Sequence, residues 1–463
     1  MPKAFKEGRN EVESGFYSYT ELIVREAINK NARGVLIMPI KADWGIENTV
    51  VDLDSPEEAK ANFIGQTAHL LDLAFKAPIQ TLKTVRLATK DAKKAALDLQ
   101  AIKIEALYTG TRGNNFKVTI RPKIGDESAK QLILVENNVE LERITFSAID
   151  ELVTKTKDSL YITVTKVDGS KTIEDINNVP LAGGVSGEAV KVEDYANFFA
   201  LAKEEDFNGI CLDGVQDKAV KTMLTQFVQT SRSSGRLITG YTGGEDAKEI
   251  DYYAVTNNIQ KASTYDRQYT AEEVAVYVAA ALISCPLNES MTQKETPFTS
   301  VEKLSVTETK RRLAEGNLLF FQEGKTVRFN TAVNTMTTIR NIDEAVGISK
   351  EADERSAIRT LQKVKVVQAI DYITTAEEKI FNRFMARANT QARRLAAAQA
   401  IKDELLEKLA ENEVIETGTF NCYEDPRHTE SNGKVVYKDE AYFITEYVVI
   451  DAIEKVYNKN KVA

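Results

Sequence analysis

Two histidines are the only candidates in this sequence for an imidazole base beside a serine nucleophile. His69 falls in a segment with helical character, and His428 falls in a charged loop at 425–430. Neither belongs to a local motif that also holds a nucleophile and a carboxylate. The serine run at 231–235 lacks the G-x-S-x-G pattern and is typical of a helix end followed by a turn. The sequence therefore does not support a His-dependent triad.

A glycine-rich run at 240–244 follows a predicted strand, where a phosphate-binding loop would lie. Its spacing fits neither the Walker pattern nor the dinucleotide-binding G-x-G-x-x-G pattern, so we interpret it as a loop at the end of a sheet strand. The carboxylates Glu204, Glu205, Asp213 and Asp217 are expected of a solvated acidic surface. No catalytic residue, cofactor or metal ligand is predicted.

Length and charge narrow the class of protein. A chain of 463 residues exceeds the roughly 250 to 300 residues that one hydrophobic core organises, so about two or three domains are expected. A hydrophobic fraction of 43% and a charged fraction of 28% are typical of a folded globular protein. The formal net charge of −9 disfavours a nucleic-acid binder, which needs a basic surface. The expected partners are proteins.

Targeting signals and cysteine usage indicate a protein folded in a reducing compartment. The polar N-terminus has no apolar run of the length of a secretory signal, and the apolar run at 274–283 is too short to span a bilayer. Cys211, Cys285 and Cys422 are far apart and odd in number, unlike a disulfide framework or a zinc site. We expect reduced thiols and no membrane insertion.

Strand and helix patterns alternate along two stretches, which favours a mostly parallel sheet covered by helices. The first stretch has strands at 34–39 and 84–88 with a helix opened by residues 54–58 between them. The second has strands at 209–212, 236–239, 318–322 and 326–329, and helices at 192–203, 219–231 and 271–283.

Between these stretches, residues 104–185 have short alternating strands at 116–120, 132–135 and 160–164, separated by glycine-rich turns. This pattern predicts a small antiparallel β domain inserted into the α/β domain. We expect the inserted domain to be peripheral, so that its deletion leaves a soluble α/β core.

The C-terminal part is predicted to be helical from 353 to 412, with a break near Asn389 and Thr390, and to end in strands at 417–423, 434–437 and 442–457. In the helix after Thr374, an apolar stripe lies beside a basic row with four-residue spacing. That basic row is Lys379, Arg383 and Arg387. The row is either a solvated face or a contact surface for an acidic protein, and the residues leave both possibilities open.

Several short motifs occur in the same order as in contractile phage tail sheath proteins. They are an aromatic strand at 14–17, a strand ending in proline at 31–39 and a Trp-Gly turn at 41–45. The segment 106–118 is the most specific, because it is similar to the family's Y-P-G-x-x-G-N entry into an inserted β domain, with Thr109 in place of proline. Arg359, Thr360 and Leu361, and then residues 366–371, resemble the start of the family's C-terminal domain. Over nearly its whole length, the chain resembles the contractile tail sheath family, which includes phage-derived bacteriocin sheaths.

The resemblance implies an α/β multidomain fold. Its parts would be a subtilisin-like α/β domain without a catalytic triad, an inserted small antiparallel β domain, and an α+β C-terminal domain with extended terminal arms. The predicted boundaries are 1–30 for an N-terminal extension and arm, 31–103 and 186–345 for the discontinuous α/β domain, 104–185 for the β domain, 346–440 for the C-terminal domain and 441–463 for a C-terminal arm.

The resemblance also implies a structural function without enzymatic activity or a cofactor. Sheath subunits stack as hexameric rings around a tail tube and contract to drive the tube through a target cell envelope. The implied partners are neighbouring sheath subunits and the tail tube, baseplate and tail terminator proteins. The particle would assemble in the bacterial cytoplasm and be released as a virion or phage-tail-like particle.

Both ends of the chain are rich in aromatic and β-branched residues, which suits arms that add strands to neighbouring subunits. The predicted arm residues are Phe16, Tyr17, Tyr19, Tyr442, Ile444, Val448, Ile450, Ile453 and Val456. In the alternative, the C-terminal strand pairs within its own domain. The basic row Lys379, Arg383 and Arg387 is expected to face the tube.

A second class of function is an α/β hydrolase or a ligand-binding protein that uses the loops at the ends of the sheet strands. That reading leaves the strand-rich termini unexplained, whereas an assembly protein needs them.

Overall fold

The computed structural model describes residues 3–4, 17–18, 34–167, 172–339, 353–425 and 438–454. The chain divides into two units, Met1–Ala32 and Arg33–Ala463. In the first unit, strand β1 (Lys3–Ala4) pairs in parallel with β2 (Tyr17–Ser18). The elements of the second unit follow in chain order.

The first α/β part consists of β3 (Val35–Ile40), β4 (Val50–Leu53), α1 (Pro56–Asn62), α2 (His69–Ala74) and β5 (Thr81–Arg86). The inserted domain consists of β6 (Ala96–Asp98), β7 (Ile102–Ala106), β8 (Phe116–Lys123), β9 (Asp126–Glu136), β10 (Val139–Phe146), α3 (Ile149–Lys155), β11 (Ile162–Lys166) and β12 (Ile176–Pro180).

The second α/β part consists of α4 (Val192–Ala202), β13 (Gly209–Cys211), α5 (Lys218–Ser233), β14 (Thr239–Gly243), α6 (Ala247–Ile250), β15 (Val255–Asn258), β16 (Ala262–Ser263), β17 (Gln268–Tyr269), α7 (Ala271–Ile283), β18 (Ser300–Val301), α8 (Val306–Ala314), β19 (Asn317–Glu323) and β20 (Thr326–Thr331). The C-terminal part consists of α9 (Glu354–Leu361), α10 (Val364–Asn382), α11 (Gln391–Ile401), a π-helical turn (Lys402–Leu406), α12 (Glu407–Glu411), β21 (Asn421–Glu424) and β22 (Phe443–Glu446).

The main sheet has eight strands in the order β20-β19-β15-β14-β13-β3-β5-β4. The six inner strands are parallel, and the edge strands β20 and β4 are antiparallel to their neighbours. Strand β3 is a continuous apolar run because helices cover both faces of the sheet. Side chains of α2 and α7 pack on one face, and side chains of α4 and α5 pack on the other. The predicted α/β architecture is confirmed.

Helix α7 accounts for the longest apolar run in the sequence. A capping box formed by Thr270 and Glu273 begins the helix, and its residues from Val274 to Ile283 are all buried in the core. Its hydrophobicity is therefore explained by packing against the sheet. Among the described residues, no helix has the length and apolar character needed to cross a membrane.

The inserted domain is a sandwich of two antiparallel sheets, β10-β9-β8-β12 and β11-β7-β6, around one apolar core. Strand β6 pairs with β7 and lies ahead of the predicted start at 104. The core also contains Trp44, which comes from the turn after β3 and is 1% exposed. Its indole makes edge-to-face contacts with Tyr108 and Phe116 at 5.1 and 5.3 Å, and the Arg112 guanidinium lies 4.9 Å from its ring centre.

That the inserted domain is peripheral stays a prediction. The side chain of Trp44, which belongs to the α/β domain, forms part of the core of the inserted domain. The carboxylate of Asp43 next to it accepts hydrogen bonds from Gln66 Nε2 and Ser186 Oγ, at 2.9 and 2.5 Å. These contacts join the exit segment of the inserted domain to the α/β domain.

The C-terminal part is helical, as predicted, and breaks at the predicted position. Helix α10 ends at Asn382, and α11 begins after Thr390, whose hydroxyl accepts a hydrogen bond from the Arg393 backbone N–H at 3.3 Å. The predicted strand at 434–437 lies outside the described residues.

Candidate functional site

A cleft of about 660 Å³ opens at the carboxyl ends of β3 and β13. These adjacent parallel strands lie where the strand order reverses, and open α/β sheets bind ligands at such a point. The cleft is where a hydrolase or a ligand-binding protein would have its site. Its side chains therefore test that class of function.

Asp213 is not among the residues that line the cleft, but it contacts two that are, Lys41 and Tyr195, and its side chain is fully buried. Its Oδ1 accepts a hydrogen bond from the Tyr195 hydroxyl at 2.8 Å, and its Oδ2 lies 3.1 Å from Lys41 Nζ. Burial, reinforced by the Asp213 charge, raises the pKa of Tyr195, so its hydroxyl stays protonated and donates. The groups satisfy one another, and the arrangement stabilises the fold without leaving a free base.

This Lys41–Asp213 pair was not predicted, and the interpretation of Asp213 as part of a solvated acidic surface is wrong, because the residue is 1% exposed. Lys41 directly follows the buried strand β3, and Asp213 lies two residues after the buried strand β13. The carboxyl ends of parallel strands share one edge of the sheet, so this placement is the signal that could have found the pair. The sequence alone does not say that β3 and β13 are neighbours.

The described triad candidates do not line the cleft. His69 begins α2, where its Nδ1 lies 2.9 Å from the Gln66 carbonyl oxygen and its Nε2 lies 3.4 Å from Glu273 Oε1. It does not line the cleft. The serine run is the end of α5, as predicted, and the Ser234 hydroxyl donates to the Ser231 carbonyl. His428 lies outside the described residues.

The glycine run at 240–244 is not a loop, and this interpretation is corrected. Residues 239–243 form the fully buried strand β14. A Cβ atom on Gly240 would lie 2.8 Å from Val228 Cγ2, and one on Gly243 would lie 2.2 Å from the Ala271 carbonyl oxygen. Glycine is needed here because α5 and α7 pack closely on this strand.

A two-stranded antiparallel sheet in the C-terminal part is the clearest assembly surface. Strand β21 pairs with β22 from Asn421 opposite Glu446 to Glu424 opposite Phe443. Among the described residues, no third strand pairs with either of them. A two-stranded sheet is only marginally stable by itself and presents unpaired backbone groups along its edges. It is anchored by Phe443, whose ring centre lies 4.8 Å from that of Phe381 in α10.

The predicted C-terminal arm residues divide into two groups. Ile444 lies in β22, and the segment after it pairs with its own domain through the bonds Glu416 N–H to Val448 carbonyl and Ile450 N–H to Val414 carbonyl, at 2.8 and 2.9 Å. Tyr442 directly precedes β22. Ile453 is 89% exposed. One edge of this segment therefore pairs within its own domain, as in the alternative prediction. The role of the segment between subunits stays a prediction.

Of the remaining predicted arm residues, one lies in the N-terminal unit and the others lie outside the described residues. Tyr17 lies in β2, whose partner is β1 of the same chain. Phe16, Tyr19 and Val456 lie outside the described residues.

The four-residue spacing had predicted that the basic row forms one continuous helical face. The structure shows that it does not. Helix α10 ends at Asn382, so Lys379 lies on the helix, Arg383 caps it and Arg387 lies beyond it, after Ala386 with a φ of +58°. All three side chains are exposed. Arg383 Nη2 is 2.8 Å from Glu404 Oε2, whereas Lys379 and Arg387 have no ion-pair partner among the described residues.

Comparisons with known proteins give the family. Residues 88–186 match the phage tail sheath protein beta-sandwich domain, and residues 188–335 match the phage tail sheath protein central domain. The phage-like element PBSX protein XkdK of Bacillus subtilis (strain 168) is 24% identical over 393 residues, covering 81% of each chain.

Two solved structures have a similar fold. The sheath tail protein of Desulfitobacterium hafniense has a TM-score of 0.73 at 19% identity, over 95% of this chain and 100% of that chain. The helical sheath of the anti-feeding prophage in its contracted state has a TM-score of 0.56 at 8% identity, over 98% and 99%. Because the two sheath-domain matches are consecutive and together cover more than half of the chain, and because the fold agrees with solved sheaths, the chain belongs to the phage tail sheath protein family, whose members are structural proteins of contractile tails and injection systems.

Proposed function

We propose that this chain is the subunit of a contractile sheath that stacks as hexameric rings around a tail tube. The sheath is assembled in the bacterial cytoplasm in an extended, metastable state and contracts to drive the tube through a target cell envelope. The energy is stored in the assembled lattice, so neither a nucleotide nor another cofactor is needed. The partners are neighbouring sheath subunits and the tail tube, baseplate and tail terminator proteins.

The observation that carries the proposal is the two-stranded sheet β21-β22. Its two strands pair with each other, and no other described strand joins either of them. A terminal arm from a neighbouring subunit would extend it by main-chain hydrogen bonds, each contributing roughly 0.5 to 1.5 kcal/mol. Main-chain hydrogen bonds of this kind would join the subunits while the rings move relative to one another.

The proposed domain arrangement keeps the predicted order of domains, with the inserted domain beginning by β6 rather than at 104, a subtilisin-like topology for the larger domain and no triad in it. The cleft at the sheet ends supports this reading against a hydrolase. Two of its lining residues, Lys41 and Tyr195, are bonded to the buried carboxylate of Asp213, and the described His69 does not line it.

Particle size tests the proposal. The purified full chain, imaged in negative stain at physiological salt, should form rings, tubes or long empty sheaths. A hydrolase or a ligand-binding protein should stay small. A uniform particle with the mass of one 51.5 kDa chain, measured by light scattering over a range of concentrations, would overturn the proposal.

A further inference from the structure

The chain after β22 is held to the fold in two different ways. As far as Ile450 it is held by its backbone, because Val449 forms an antiparallel bridge with Ile415 and the Ile450 N–H donates to a carbonyl after α12 at 2.9 Å. Beyond Ile450, no backbone hydrogen bond joins residues 451–454 to another described segment. Ile453, the large apolar side chain among them, is 89% exposed, so apolar packing contributes little. Residues 451–454 are held by their carboxylates.

These carboxylates, of Asp451 and Glu454, meet a lysine at the start of α10. Lys363 Nζ forms an ion pair with Asp451 and lies 3.2 Å from Glu454 Oε2. The other oxygen of Glu454, Oε1, accepts a hydrogen bond from the Thr292 hydroxyl at 3.0 Å. Thr292 follows α7 in the α/β domain, whereas Asp451 and Glu454 follow the C-terminal sheet. The two carboxylates therefore join the last described residues to the α/β domain across its junction with α10.

A second lysine makes this junction sensitive to charge. Lys365 is 6% exposed, and burial lowers its pKa, while the charges of Asp451 and Glu454 oppose the shift. Burial alone would also lower the pKa of Lys363, but the hydrogen bonds and charges of the same two carboxylates outweigh it and raise the pKa. The Cys285 thiol is the other titratable group that faces Lys365. Two carboxylates from one short segment thus balance two ammonium groups, which would otherwise repel each other in a poorly hydrated site.

We infer that residues 451–454 form an ionic latch, which closes the C-terminal segment over the junction of α10 and the α/β domain and opens when Asp451 and Glu454 lose their charge. Opening breaks ion pairs without exposing a large apolar side chain, because Ile453 is exposed already. The backbone contacts as far as Ile450 stay in place. Opening frees four residues, or about 13 Å of extended chain at about 3.3 Å per residue, for the segment that follows. The inference rests on the proposed function, in which that length is the reach of a terminal segment.

The test measures the mobility of residue 453 in the full chain. The three native cysteines are buried, so a maleimide dye whose emission does not depend on pH is attached to I453C, with the wild-type chain as the labelling background. Time-resolved anisotropy gives the amplitude of nanosecond motion. We expect D451N/E454Q to increase this amplitude at least about twofold over the I453C parent. The matched control E413Q/E416Q makes the same charge change at two exposed carboxylates near the segment and should leave the amplitude unchanged.

Lowering the pH from about 7 to about 4 should raise the amplitude of the parent to that of D451N/E454Q and leave that variant unchanged. Equal amplitudes for the parent and D451N/E454Q at neutral pH overturn the inference, and so does an equal increase in the control. Loss of cooperative thermal unfolding in D451N/E454Q also overturns it, because a latch opens without unfolding the subunit. Failure of the proposed function is seen separately, as a wild-type chain that stays monomeric in negative stain.

Discussion

Arg232 and Asp371 form a buried, two-bonded ion pair between α5 and α10. Arg232 Nη2 lies 2.7 Å from Asp371 Oδ1, and Nη1 lies 2.9 Å from Oδ2, with both side chains almost fully buried. The Tyr253 hydroxyl and the Ile238 carbonyl accept the other guanidinium hydrogens. Burial alone would lower the pKa of Arg232, but the Asp371 charge and hydrogen bonds outweigh it and raise the pKa. This pair joins the C-terminal helices to the α/β domain.

Replacing Asp371 by asparagine should lower the free energy of unfolding by about 3 to 5 kcal/mol, because the Arg232 charge is left buried without a counter-charge. Urea unfolding of the full chain measures the change. Glu404→Gln is the matched control, since it removes the half-exposed partner of Arg383 and should cost no more than about 1 kcal/mol. A loss for D371N as small as the control's would show that the pair does not hold the helices in place.

Trp44→Ala should cost about 3 to 5 kcal/mol, because it empties a site in the core of the inserted domain. The same reasoning revises the expected result of deleting residues 104–185. The deletion would expose Trp44 and leave β6 without its partner, so we now expect aggregation in place of a soluble core. Tyr265→Ala, at a side chain that is 96% exposed, is the control and should leave the melting temperature unchanged. A soluble, cooperatively unfolding deletion product would restore the original expectation.

Removing residues 455–463 should abolish tubes while barely changing the melting temperature of the isolated subunit. The cut is placed after Glu454 because that side chain is part of the fold. Its Oε2 lies 3.2 Å from Lys363 Nζ, and its Oε1 accepts from the Thr292 hydroxyl at 3.0 Å. Negative stain and differential scanning calorimetry give the two readouts. A truncated chain that still polymerises would remove these residues from the proposed arm.

The paired replacement of Lys379 and Arg383 by glutamate should weaken co-assembly with the tail tube protein while leaving the subunit folded. Both side chains are exposed, and exposed charges of one sign govern the choice of partner more than stability. The matched control is Lys303→Glu with Lys310→Glu, which makes the same charge change at exposed positions elsewhere. Co-sedimentation at physiological salt is the measurement. Equal co-sedimentation of the two variants would show that the basic row is a solvated face and does not contact the tube.

Glu377 should make stability depend on pH. Burial raises the pKa of this carboxyl, a hydrogen bond from Thr445 only partly opposes the shift, and Oε1 is buried without a hydrogen-bond partner. Because the folded pKa lies above the unfolded one, its stabilising contribution is complete below the unfolded pKa and is lost as the pH rises through the folded pKa. Tyr447 and Cys422 face the same carboxyl and also have raised pKa values, from burial first.

Glu377→Gln should therefore be more stable than wild type by about 1 kcal/mol near neutral pH and nearly equal to it in acid. Urea unfolding of both chains from about pH 5 to about pH 8 gives the two curves. Glu378→Gln, at the exposed neighbouring position, is the control and should follow wild type throughout. Parallel curves for wild type and E377Q would exclude Glu377 as the source of the pH dependence.

The sequence by itself determined the elements whose signals are local. The apolar run of β3, the helix α7 and the helix break at Thr390 were all predicted near their observed positions, because hydrophobic periodicity and helix-end signals depend on neighbouring residues. The order of short motifs also gave the family, which the sheath-domain matches then confirmed. The glycines of β14 were misread because their spacing is explained only by the helices packed above them.

Only the tertiary structure decided which distant residues meet. Lys41 contacts Asp213 because β3 and β13 are neighbours in the sheet. Trp44 belongs to the α/β domain but packs in the core of the inserted domain. Arg232 and Asp371, 139 positions apart, show the same dependence on topology. Periodicity reports which face of an element is buried, but the partner of that face is set by strand order and domain packing. For that reason the ion pairs that join the domains could not be predicted from the sequence.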